Sequence, residues 1–140
     1  MKIIVLRGEP NCGKTATIGA VYNLLIQNDF SQFGDNYRVL GADELDFKDI
    51  MIKGCKKIGI TSLGDELDPG DPDTIEDMLI QFERELCFMA IIACTDSNQE
   101  GLDAISKRKN VQFVEKTPAG DLSINRVENA LIALSVYKMV

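Results

Sequence analysis

The chain has 140 residues, 22 acidic and 15 basic, for a net charge of −7, and contains no histidine. That length suits a single domain spanning 1–140. The acidic balance argues against a nucleic-acid surface, and without histidine any general base must be a carboxylate, a lysine or a substrate-bound water. A histidine-ligated zinc site is excluded. The four cysteines show no C-x-x-C spacing, and the first apolar run, Ile3 to Leu6, is too short for a signal peptide or a membrane span. The expectation is a reduced, cytoplasmic protein that makes no membrane contact.

Lys2 to Leu6 is apolar and β-branched without alternation, the pattern of a strand covered on both faces. It leads into Gly8-Glu9-Pro10-Asn11-Cys12-Gly13-Lys14-Thr15, which fits G-x-x-x-x-G-K-[ST] at every fixed position. The glycines bend the chain and leave room for phosphate, while successive backbone N–H groups form an anion nest. Lys14 reaches the β and γ phosphates, and the Thr15 hydroxyl is a Mg²⁺ ligand. A helix opening at Gly13 adds the positive end of its dipole, which brings Ala16 into the phosphate-binding set and favours thiolate at Cys12. Ile18, Val21 and Leu25 then recur at helical spacing, with Ala20 and Leu24 beside them, and the helix fades near Asn28.

Phe30 to Asn36 reads as a loop and Tyr37 to Leu40 as a short strand ending at Gly41. Phe47 to Ile52 and Lys57 to Leu63 form a hairpin across 53–56, the second strand leading into Gly64 and Asp65. Prolines and glycines make 64–73 a surface loop. Asp65 to Asp77 holds seven carboxylates and no lysine or arginine. Thr74 caps a helix from Ile75 to Glu85 with an apolar stripe of Ile75, Met78, Leu79, Phe82 and Leu86. Cys87 to Cys94 reads as a central strand, Leu102 to Lys109 as a short helix and Val111 to Val114 as a further strand. Pro118 to Gly120 turns the chain, and Ser123 caps a last helix with Ile124, Val127, Leu131 and Leu134 on its core face. The basic clusters Lys53/Lys56/Lys57 and Lys107/Arg108/Lys109 read as solvated faces.

Strand, glycine loop and helix in that order resemble the P-loop NTPases, by motif over 1–28 and by element order beyond. The hairpin and glycine turn are similar to the kinase and small-GTPase branch. The runs Ile58 to Asp65 (I-G-I-T-S-L-G-D) and Ile91 to Thr95 (I-I-A-C-T) are similar to small bacterial ATP-binding proteins. The resemblance implies a three-layer α/β sandwich: a mostly parallel sheet of about five strands, helices on both faces and a β-hairpin at one edge. It implies Mg-dependent binding of a nucleoside triphosphate, ATP above others, with slow hydrolysis. A small-molecule or nucleotide kinase and a nucleotide-dependent switch are the alternatives, the last engaging a protein partner or a second copy. Lys14 would neutralise γ-phosphate charge, and Thr15 with Asp65 would hold the metal. Asp65 competes for that role with Asp96 and Asp43, and is preferred because its strand should lie beside the first. Glu66 would orient the attacking water. Thr61-Ser62-Leu63-Gly64 stands where GTPases have D-x-x-G, and Thr95-Asp96-Ser97-Asn98 where they have N-K-x-D, so guanine specificity is not implied. Lys116 to Ala119 reads either as a plain turn or as part of a base pocket.

Overall fold

Ile3, Ile4, Val5 and Leu6 can all be satisfied only inside a sheet covered on both sides, and all four are fully buried. The computed structural model describes residues 1–10, 12–41, 44–67, 73–117 and 122–140, with the backbone alone for 122–125. The chain runs β1 (Lys2–Gly8), α1 (Lys14–Gln27), β2 (Ser31–Gln32), β3 (Arg38–Leu40), β4 (Asp46–Lys53), β5 (Lys56–Thr61), α2 (Ile75–Arg84), β6 (Met89–Thr95), α3 (Gln99–Ser106), β7 (Val111–Lys116) and α4 (Leu122–Tyr137).

The described strands form one seven-stranded mixed sheet in the order β2-β4-β5-β6-β1-β7, with β3 also on β4. The pairs β5–β6, β6–β1 and β1–β7 are parallel, whereas β4 runs antiparallel to β5, β2 and β3. The expectation of a mostly parallel sheet of five strands is corrected on both counts, and connection length is the reason. Only Gly54 and Cys55 separate β4 from β5, whereas a parallel partner needs a crossover of about a dozen residues. The segment read as a loop contributes β2. A further correction is that β5 does not lie beside β1, because β6 is inserted between them.

Strand alternation sends Ile3 and Val5 to one face, where Met78, Leu79 and Phe82 of α2 and Ala104 and Ile105 of α3 cover them. Ile4 and Leu6 point to the other face, under Ile18, Val21 and Leu25 of α1 and Ala133 and Val136 of α4. Each of these side chains other than the alanines contributes about 1.5–3 kcal/mol on burial. Phe82 lies against Gly59 of β5, where an added Cβ would sit 2.3 Å from the ring. That glycine serves close approach.

The Thr74 side chain accepts from the Asp77 N–H at 3.2 Å, which starts α2 as expected. Its end differs. Leu86, expected on the buried stripe, is 82% exposed and left-handed, with φ 60°. Leu86 N–H donates to the Glu83 carbonyl at 3.1 Å and Cys87 N–H to the Phe82 carbonyl at 3.0 Å, the paired bonds of a Schellman ending whose left-handed position usually holds glycine. α3 begins three residues before Leu102 because the Asn98 side chain caps it from Gly101 N–H at 3.0 Å. It stops at Ser106, and Arg108 beyond it bonds Glu76 at 2.6 Å and Glu83 at 3.0 Å. The basic clusters are therefore not simply solvated: Lys57, too, stacks 4.0 Å from the Phe33 ring centre.

α4 turns the opposite face inward from the one expected. Val127, Leu131 and Leu134 are 61%, 63% and 40% exposed, while Ala133 and Val136 are buried. Small side chains let α4 settle closely on α1, and the larger leucines face out. Ser123 lies inside the helix rather than before it. The Ile124 side chain and the turn at Pro118 to Gly120 fall outside the described residues.

Leu86→Gly is expected to raise stability by about 1 kcal/mol by relieving the left-handed leucine. A higher urea midpoint at constant slope would register the gain.

Candidate functional site

β1 and β6 are hydrogen-bonded neighbours, yet the chain leaving β1 forms α1 on one face and the chain leaving β6 forms α3 on the other. Their carboxyl ends open a crevice, where open α/β sheets take ligands. The loop from Gly8 to Thr15 crosses it. Asp96 N–H donates to the Gly8 carbonyl at 3.0 Å and Thr95 N–H to the Gly64 carbonyl at 2.9 Å, tying the strand ends together.

Both motif glycines are required. A Cβ on Gly8 would lie 2.3 Å from the Lys116 carbonyl oxygen, and Gly13 starts α1 in the left-handed region at φ 93°. The N-cap of α1 is Gly13, which has no side chain to offer, and the first turn of the helix holds no acid. By contrast α2 and α3 have both a side-chain cap and first-turn acids. The first-turn N–H groups of α1 thus lack intrahelical partners at the positive end of the helix dipole.

Lys14 folds back along the loop. Its Nζ donates to the Glu9 carbonyl at 2.7 Å and the Gly8 carbonyl at 3.2 Å, and lies 3.8 Å from Cys12 Sγ. A cleft of about 480 Å³ opens above, lined by Gly13 to Ala16 on one side and by Asp46, Ser62, Gly64 and Asp65 on the other, with Leu45 at the rim.

Asp46, which the sequence reading did not single out, is the carboxylate in contact with the loop. Thr15 Oγ1 donates to Asp46 Oδ1 at 2.8 Å and Ser62 Oγ donates to the same oxygen at 2.9 Å. Phe47 N–H donates to Ser62 Oγ at 3.0 Å, which fixes the direction of the serine proton. With its proton on Asp46, the Thr15 oxygen keeps its lone pairs for the cleft. A second bond joins the same two elements: Tyr22 OH donates to Asp49 Oδ2 at 2.9 Å, and Gln32 Nε2 donates to the Tyr22 oxygen at 2.9 Å. Burial pushes the Tyr22 hydroxyl up to about 12 and raises the Asp49 carboxyl above its ordinary range.

Of the expected acids, Asp65 lines the cleft and accepts the Thr95 hydroxyl. Glu66 is exposed and does not line the cleft. Asp96 is turned toward Arg7, 3.7 Å from its Nε, and Arg7 itself lies 3.1 Å from Glu115 and over the Phe113 ring. Asp43 and Asn11 fall outside the described residues. Glu9 and Pro10 are exposed at the loop crest, and Cys12 is buried beneath it. In the acidic segment, Asp73 pairs with Lys48 at 2.8 Å.

Compared with known protein families, curated proteins and solved structures, the chain matches none. Among the described residues no helix is long and apolar enough to cross a membrane.

Because Asp49 holds its proton to higher pH when folded than when unfolded, the folded state binds more protons between the ordinary carboxyl pKa near 4 and the raised one. Stability therefore falls as pH rises through that window. Asp49→Asn is expected to flatten this slope, measured as urea stability against pH.

Proposed function

We propose that this chain is a P-loop nucleotide-binding protein that takes Mg-ATP at Gly8 to Thr15 and hydrolyses it slowly. The observation that carries the reading is the start of α1, a helix N-terminus whose cap position is a left-handed glycine, facing a cleft that holds Lys14, Thr15 and two carboxylates. The N–H groups of Gly13 to Ala16 hold phosphate oxygens, and the Lys14 ammonium replaces its weak thiol contact with a phosphate oxygen.

The cleft's donors are hydroxyl and carboxylate oxygens, the hard ligands that suit Mg²⁺. Among the described residues no three acidic or sulfur side chains gather into a cage. Mg²⁺ characteristically binds through one or two carboxylates together with substrate phosphates. Thr15 and Asp46 would hold it, with Asp65 on the same wall as Asp46, and it would supply neutralisation of the phosphate charge. Lys14 is the one cation among the described residues lining the cleft. This favours slow hydrolysis over transfer to a second substrate, and makes a partner protein or second copy a source of further positive charge.

Thermal shift against ATP, GTP, CTP and their diphosphates, with and without Mg²⁺, tests the reading, since a ligand of the native state raises the melting temperature. ATP with Mg²⁺ is expected to give the largest shift, and no shift with any nucleotide would refute the proposal. Lys14→Ala should stay folded and lose Mg-ATP affinity by about thirtyfold or more in calorimetry. Asp46→Asn is expected to remove the Mg²⁺-dependent part of ATP affinity, whereas Asp65→Asn should lower turnover with affinity retained. The reverse pattern would exchange their roles.

A further inference from the structure

We infer that Asn129 of α4 is a positioning residue for the phosphate loop, setting its shape from behind. Its consequence for affinity rests on the nucleotide reading; the positioning itself rests on geometry. The side-chain amide of Asn129 covers the Cα of Gly13, where an added Cβ would lie 2.9 Å from Oδ1, 3.1 Å from Nδ2 and 3.4 Å from Cγ. Gly13 is thus closed to any side chain twice, by its φ of 93° and by this amide.

The same amide lies 3.2 Å from Thr17 Oγ1, and that hydroxyl lies 2.9 Å from the Gly13 carbonyl oxygen. A hydroxyl has one proton to give. Its nearer acceptor is the Gly13 carbonyl, and Asn129 Oδ1 is the second acceptor within reach of the same hydroxyl. The hydroxyl thereby links Asn129 to the carbonyl of the residue whose left-handed turn shapes the loop.

The preceding residue of α4 meets a side chain of β7. Glu128 lies 3.9 Å from the Nζ of buried Lys116, whose carbonyl oxygen is 2.3 Å from the Cβ position of Gly8. Consecutive residues of the last helix thus contact Thr17 of α1 and the side chain of Lys116. Without the Asn129 amide, Gly13 loses its wall and the first N–H groups of α1 lose their fixed direction.

The test uses the full chain carrying Asn129→Ala, with Asn129→Asp as a variant of nearly the same shape should the alanine fail to fold. Without nucleotide, amide hydrogen exchange between Gly8 and Thr17 is expected to speed up about tenfold in either variant while β1 and β6 keep their protection. Mg-ATP affinity is expected to fall about tenfold in Asn129→Ala, and little further when Thr17→Val is added, because both changes break one chain of bonds. In Asn129→Asp, ATP should lose more affinity than ADP, since a negative charge then sits behind the phosphates. Unchanged exchange in the loop overturns the role of Asn129, as do losses that simply add in the double variant. Faster exchange in a chain whose wild type takes up no nucleotide would uphold the positioning role and overturn the nucleotide reading instead.

Discussion

The divergence of β1 and β6 governs the rest of this structure. These strands share a full parallel ladder from Lys2 with Met89 to Gly8 with Thr95, and then their chains part to opposite faces. No side chain has to be removed to make room at that end, because backbone routing alone leaves it open. The glycine loop fills the gap with main chain, and its close contacts with Lys116 and Cys12 leave no space for a Cβ at Gly8. Under the proposed reading, such a loop would offer an anion its backbone N–H groups.

The opposite wall comes from the antiparallel part of the sheet. β4 meets α1 at two points, Thr15 with Asp46 and Tyr22 with Asp49. Between those points the helix rises about 10.5 Å and the strand about 10 Å; Asp49 bonds from mid-strand, while Asp46, of opposite parity, makes its bond from the first position of the strand. The departure from a parallel sheet thus has a functional consequence under the proposed reading: a strand running the other way brings its first residue, Asp46, to the end where the parallel strands finish. In a parallel strand the same carboxylate would have been carried to the far end of the sheet.

β1, α1, α2 and β6 were legible in the sequence because their signals are local: an unbroken apolar run, the glycine–lysine–threonine motif, and a threonine with an acid three residues on. The sheet order was not, since no local pattern says that β6 inserts between β5 and β1. Asp46 was within reach. The hairpin centred on Gly54 and Cys55 pairs Lys48 with Thr61, and extending that register puts Asp46 opposite Leu63, at the mouth of the crevice. The orientation of α4 was hidden because the helix is apolar on both sides. Periodicity picks out the stripe of larger residues, whereas close packing on α1 selects Ala133 and Val136. Leu86 misled in a similar way, continuing the spacing of α2 one turn past the point where the backbone reverses.

Of the four cysteines, Cys12, Cys87 and Cys94 are buried and Cys55 alone is exposed. Burial pushes the Cys87 and Cys94 thiols up to about 11, far from the reactive range. Cys55 sits on the hairpin tip, about 20 Å from the cleft along β5. The native protein therefore carries a single natural attachment point for a fluorophore or spin label. A maleimide dye can be fixed there without engineering, leaving the crevice free for titration.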